Sequence, residues 1–238
     1  MDVHKPKPVH SWREFLTEVG TIVLGILIAL SLEQMVETWR VHRQYREARE
    51  AIREELGFDA FNIMRRRAAA PCIARRIQEI GTLLDQADDG KPFTPVLWIG
   101  DGVSYRMRFS AEPDAGRSGL FTPEEQQHFG VMYGWLHALD VSQDRERLAW
   151  ARLRALEGRT RLSPELAAPL RLALADARFE TNRMDMNMAF LNRGAQLYDI
   201  PLATHGTLNL APEILPLCLP TNTPLEEATR RSLYPLQK

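Results

Sequence analysis

VGTIVLGILIALSL, residues Val19 to Leu32, is a run without a single charge, and no other part of the chain is comparably apolar. As a helix it covers about 21 Å, short of the roughly 30 Å hydrocarbon core of a bilayer. Length alone therefore fits a buried core helix or a signal-peptide h-region as well as a membrane span. The flanks favour the span. Trp12 and Trp39 bracket the run, and tryptophan favours membrane–water interfaces. On one helix they lie roughly 40 Å apart, the thickness of a bilayer with its headgroups. The charges between them, Arg13, Glu14, Glu18, Glu33 and Glu37, sit near the ends. The pattern predicts a membrane-spanning helix from about Phe15 to Val36. Ala29-Leu30-Ser31 has the small-x-small form of a signal cleavage site, but Glu14 and Glu18 occupy what should be a basic n-region.

At about 100° per residue, Glu14, Glu18, Thr21, Gly25, Ala29 and Glu33 share one face of that helix. Thr21, Gly25 and Ala29 form a small-xxx-small pattern that lets two helices approach closely in lipid. A carboxylate near lipid is costly unless it is protonated, paired or turned toward protein or water. The face bounded by Glu18 and Glu33 therefore reads as a helix-packing stripe. The alternative is that the small residues carry no meaning and the glutamates reach the headgroups.

The composition, 45% hydrophobic and 26% charged with a net charge of −1, is that of a folded protein. Near-neutral charge gives no electrostatic case for nucleic acid. Arg65-Arg66-Arg67 reads as a solvated helix end. The two cysteines, Cys72 and Cys218, suit one disulfide if the domain lies outside the cytosol; two buried free thiols remain the other reading. Arg40, Arg43, Arg46 and Arg49 after the run outnumber Lys5, Lys7 and Arg13 before it. That count slightly favours a cytoplasmic C-terminus, but a long domain translocates regardless of charge. The cysteines tilt the reading to a cytoplasmic N-terminus.

In chain order, residues 1–11 read as a flexible tail and 12–39 as the anchor helix. Residues 40–70 read as an amphipathic stalk continuous with it, its apolar stripe running from Val41 through Ile52, Leu56 and Ala60 to Ile63. Residues 71–238 read as a bundle domain. Pro71 is expected to open a second helix at N1, with Ile73, Ile77, Ile80 and Leu84 facing its partner. Residues 91–121, punctuated by proline and glycine, are expected to be loop with short helical pieces. Thr122-Pro123-Glu124-Glu125 is a capping box with proline at N1. The helix it starts is expected to kink or break at Asp140 to Asp144. Ser163-Pro164 opens the last long helix, whose stripe from Leu170 to Tyr198 repeats at 3–4 spacing. Residues 201–222, with four prolines, are expected to wrap the bundle in extended form, and Thr223-Pro224 to start a short helix to about Leu233.

Catalytic signatures are absent: no HExxH, Walker loop, GxGxxG, GxSxG or CxxC. Glu125-x-x-His128 is half of a di-iron motif and reads as capping. Of Met184, Met186 and Met188, the outer two fall on the core stripe, so a copper(I) site is not expected. No enzyme activity, cofactor or metal is expected.

The segment Trp12-Arg13-Glu14-Phe15, then Val19 through Gly25-Ile26-Leu27-Ile28-Ala29-Leu30 and Glu33-Gln34 with the charged stretch after it, resembles the start of an uncharacterised family of bacterial single-pass inner-membrane proteins with a "GILIAL" anchor. The resemblance covers residues 12–56. It implies a bacterial inner-membrane location and carries no activity. The resulting expectation is an all-α protein: a transmembrane helix, a stalk, then an antiparallel helical bundle. It would act as a structural or interaction module that self-associates or docks a membrane partner through its anchor, with the lipid bilayer as its surroundings. The alternative is a membrane-tethered sensor holding a small ligand near Tyr105, Arg106 or Arg108.

Overall fold

From Trp12 to Arg67 the sequence is rich in leucine, alanine, glutamate and arginine, all strong helix formers, and contains no proline. The outcome is one helix, α1, over Trp12–Asp88. Helix α2 spans Pro123–Leu153 and α3 spans Pro164–Leu197, with short 3-10 turns at Ser118–Leu120, Arg154–Leu156 and Leu215–Cys218. The structure is a computed structural model that describes residues 12–88, 91–100, 103–114, 116–197, 215–224 and 226. Among these there is no strand, only an isolated bridge between Val96 and Glu157. The chain divides into two compact units, Met1–Arg49 and Glu50–Lys238.

The expected break at Pro71 does not occur; the proline lies inside α1. An interior proline costs about 3 kcal/mol through its lost hydrogen bond and ring clash. Burial on both sides offsets this: Ala69, Ile73, Ile77, Ile80 and Leu84 are all in the core. The expected interruption at Asp140 to Asp144 is also missing. Helix α2 runs through it because Ser142, Gln143 and Glu146 are buried on its inner face. At its start Thr122 and Glu125 form the reciprocal capping box, with Pro123 at N1. Helix α3 begins at Pro164 as read from Ser163-Pro164.

Within the second unit, side-chain contacts give the helix directions. Trp135 stacks on Phe190, while Arg145 reaches Glu180 and Arg152 reaches Asp176, so α2 and α3 are antiparallel. Arg171 donates to the Leu84 carbonyl and Leu174 lies beside Gly81, whereas Met188 and Leu191 share a small cleft with Ala60 and Ile63. Helix α3 is therefore antiparallel to the C-terminal half of α1. Glu55 contacts Tyr133 and Arg66 contacts Glu146, so α1 and α2 run the same way. The bundle is antiparallel except for this one pair, which the long connection between α1 and α2 permits.

That connection is neither strand nor helix along residues 91–100 and 103–109. Its buried side chains Phe93, Val96, Ile99 and Val103 complete the main core with Ile73, Ile80, Trp150, Leu153 and Leu170. Residues 215–224 lie against it: Leu217 joins the same core, and Leu97 and Trp98 donate to the Thr221 carbonyl. The expected extended course of 201–214 and the final helix beyond Glu226 fall outside the described residues.

Candidate functional site

The first half of α1 holds most of the residues singled out from sequence. From Trp12 to Arg49 no residue is buried. Ile22, Leu24, Ile26 and Leu27 are each more than half exposed. This is the one helix among the described residues long and apolar enough to cross a membrane. Its hydroxyls are satisfied internally: Thr17, Thr21, Ser31 and Thr38 each donate to the carbonyl four residues back, at 2.7–2.9 Å. A hydroxyl that bonds its own backbone leaves no polar group for surrounding hydrocarbon to desolvate.

Glu18, Thr21, Gly25, Ala29 and Glu33 lie on this stretch and all are exposed. A Cβ added at Gly20 or Gly25 would meet nothing within 4 Å. Trp12 stacks on Phe15, with ring centroids 5.5 Å apart. Trp39 lies under the Arg43 guanidinium at 5.9 Å, and Arg43 also bonds Glu47 at 2.8 Å. That carboxylate raises the Arg43 pKa.

In the second unit Cys72 and Cys218 are joined in a disulfide. Around it, Arg75 donates to the Cys218 carbonyl, and Arg76 donates to those of Trp98, Leu217 and Leu219. The Arg76 side chain is 1% exposed, and burial lowers its pKa while Glu79 opposes the shift. One guanidinium thus ties both the connection and the C-terminal segment to α1 by charge-assisted bonds.

The sequence reading missed a buried polar layer. Arg66 is 4% exposed, not part of a solvated helix end. It donates to Glu146 Oε1 at 2.8 Å and to the Val103 carbonyl, and Thr181 donates to the same Glu146 oxygen at 2.7 Å. About three turns earlier on α1, Glu55 accepts from the backbone N–H groups of Ser110 and Ala111 and from the Tyr133 hydroxyl. Asp59 accepts from the Arg108 N–H, and Gln143 from that of Tyr105. Backbone that belongs to no helix or sheet must find other acceptors when covered, and here α1 and α2 supply them. Burial pushes the Asp59 carboxyl up to about 7, with the Arg108 N–H opposing. Burial, and then its bond to Glu55, raises Tyr133. The available signal was spacing: Ile52, Glu55, Asp59, Asn62 and Arg66 repeat at 3–4 intervals beside the apolar stripe.

Neither cleft formed by the described residues is lined by Tyr105, Arg106 or Arg108. Tyr105 lies under Arg65 at 4.8 Å, Arg108 covers Phe58 at 3.5 Å, and Arg106 is exposed. A groove of about 380 Å³ lies instead between α1 and α3, lined by Ile77, Gly81, Asp85, Arg178, Thr181 and Asn182. Met184 and Met188 are in the core and Met186 is outside. Among the described residues no group of three histidines, cysteines or carboxylates is placed to hold a metal. No family model matches the chain, nor does any curated protein or solved structure.

Proposed function

We propose that this is a single-pass membrane protein whose helical domain acts as an interaction module, with the anchor face of Glu18, Thr21, Gly25, Ala29 and Glu33 contacting a second copy or another membrane protein. The observation that carries the reading is the apolar run of α1, which none of the described residues covers. In water such a surface is unstable; in lipid it is the expected exterior of a span. The self-bonded hydroxyls support the same environment. The Cys72–Cys218 disulfide supports a domain outside the cytosol. With the resemblance of residues 12–56, this favours a bacterial inner membrane, the N-terminus cytoplasmic and the domain periplasmic. The carboxylates at both ends of the small-residue face explain why a neighbour is needed: they border lipid unless protein or water meets them.

The test is crosslinking of the full chain in native membranes, comparing Gly25→Ile with the parent. A β-branched side chain at the centre of the face blocks close approach, so crosslinked species at the anchor should fall at least several-fold. An unchanged crosslinking pattern would sink the role of this face. A second reading, a tethered ligand-binding domain, is favoured by the α1–α3 groove, whose volume suits a small molecule. Thermal shifts with small zwitterions that pair with Asp85 and Arg178 would support it; loss of those shifts in Arg178→Ala would place the ligand there.

A further inference from the structure

Between Val103 and Ala111 the connection is fastened to α1 and α2 by their side chains. Its odd-numbered residues are buried or half-buried and its even-numbered ones are exposed. Arg66 donates to the Val103 carbonyl, while Gln143 accepts from the Tyr105 N–H, Asp59 from that of Arg108, and Glu55 from those of Ser110 and Ala111. Two of these fastenings are buried carboxyls about one turn apart on α1, Glu55 at 5% and Asp59 at 0% exposure. They are not equivalent. Beside its two N–H groups, Glu55 accepts from the hydroxyls of Ser110 and Tyr133, the surroundings that a charged carboxylate needs. Asp59 has one donor, the Arg108 N–H at 3.2 Å from each of its oxygens. A fully covered carboxyl with a single donor is costly as the anion, so a proton belongs on Asp59.

The charged groups facing Asp59 come from all three elements packed there: Glu55 on α1, Arg108 on the connection and Asp140 on α2, with the Tyr133 hydroxyl of α2 nearby. Burial is the largest influence and the Arg108 N–H opposes it; Glu55 and Asp140 favour the proton, the Arg108 charge does not, and the carboxyl ends at about 7. A second fastening changes in the same direction. Glu112 meets His137 Nε2 at 2.9 Å, an ionic contact only while the imidazole is protonated, and Phe109 stacks on the same ring at 4.1 Å. We propose that residues 103–112 are a pH-released strap, held on α1 and α2 while Asp59 carries its proton and loosened by its ionisation. Release bares Met107 and Ala111 and lets water reach the Asp59 carboxylate. Once released, that carboxyl titrates near its ordinary value of roughly 3.9. Opening therefore becomes easier by about tenfold per pH unit between 4 and 7, about a thousand-fold in all, and then levels off. This device lies in the second unit and does not depend on the anchor face.

The experiment follows maleimide labelling of single added cysteines in the full chain in detergent, where Cys72 and Cys218 are bonded to each other. Met107→Cys is covered while the strap is docked, whereas Arg106→Cys is exposed on the same stretch. The ratio of their labelling rates cancels the pH dependence of the thiol and reads how often the strap opens. That ratio should rise about tenfold per unit from pH 5 to 7. Asp59→Asn keeps an acceptor for the Arg108 N–H and has no proton to lose, so it should hold the ratio close to its pH 5 value. His137→Gln in the same background should remove the dependence that remains. Ala173→Cys, in the main core, should label at least tenfold more slowly than Met107→Cys at pH 7, which separates release of the strap from unfolding of the domain. A ratio that stays flat with Asp59 present, one that rises undiminished in Asp59→Asn, or equal labelling of Met107→Cys and Ala173→Cys would overturn the proposal.

Discussion

The two halves of α1 share one backbone and differ in how they treat apolar side chains. From Val19 to Leu32 the apolar residues occupy nearly every position and every one of them is exposed. After Glu50 they recur every three or four residues, and Ile52, Leu56, Ile63, Ile73, Ile80 and Leu84 are buried. A solid apolar run has no polar face to turn to water, so it suits a surrounding apolar medium. A periodic stripe needs a protein partner on one side only. The comparison also extends to polar groups. The first half bonds its hydroxyls to its own carbonyls, whereas the second half commits Glu55, Asp59, Arg66 and Arg76 to backbone groups and side chains far away in sequence.

The largest predicted effect comes from the buried pair that only the second half contains. Glu146→Ala leaves Arg66 charged and uncompensated in the core, which costs about 3–5 kcal/mol in denaturant unfolding. A cost below 1 kcal/mol would mean that water reaches Arg66. Next comes a matched pair of truncations. Ile80→Ala should cost about 2–5 kcal/mol because it opens a cavity, and Ile26→Ala should shift the domain's unfolding by no more than about 0.5 kcal/mol. Equal losses would erase the contrast between the halves. Reduction of Cys72–Cys218 should lower domain stability by about 2–5 kcal/mol, the usual cost of losing a native disulfide, with the helicity of the first half retained by circular dichroism.

The effect of Asp59 is spread over several pH units and is the smallest per unit of change. The Asp59 carboxyl is raised to about 7 by burial, above its unfolded value of roughly 3.9. The folded state therefore holds this proton more tightly. The stability from Asp59 is fully present below about pH 4 and is lost as the pH rises through 7, at no more than about 1.4 kcal/mol per pH unit. Glu55 and Asp140 face the same carboxyl and add to its proton affinity. Asp59→Asn should flatten the curve between pH 4 and 7; an unaltered slope would show that Asp59 is ionised in the folded protein.

Much of the helical framework was legible. The capping box at Thr122, the start at Pro164 and the core stripe of α3 rest on local chemistry that the surrounding fold does not change. The errors share a cause. Pro71 and the Asp140 to Asp144 stretch carry local signals for a break, but burial of neighbouring side chains outweighed them. Arg66 was misread because a charged triplet is normally solvated, and nothing nearby in sequence announces Glu146 as its partner. Leu172, Phe179, Met186 and Phe190 form an exposed outer stripe on α3, which was hidden by its inner one: two apolar faces on one helix blur the periodicity, and only burial tells which of them has a partner.

By itself the sequence determined the helical class, the apolar run and its flanking tryptophans, because period, propensity and end signals act within a few residues. Only the tertiary structure decided that α1 continues through Pro71, that Cys72 meets Cys218, and that Glu55, Asp59 and Arg66 face inward. It also decided that Leu172, Phe179 and Phe190 face outward. Those outcomes depend on pairs of residues brought together from distant parts of the chain, where the gain from burying or pairing a group exceeds any preference it shows locally.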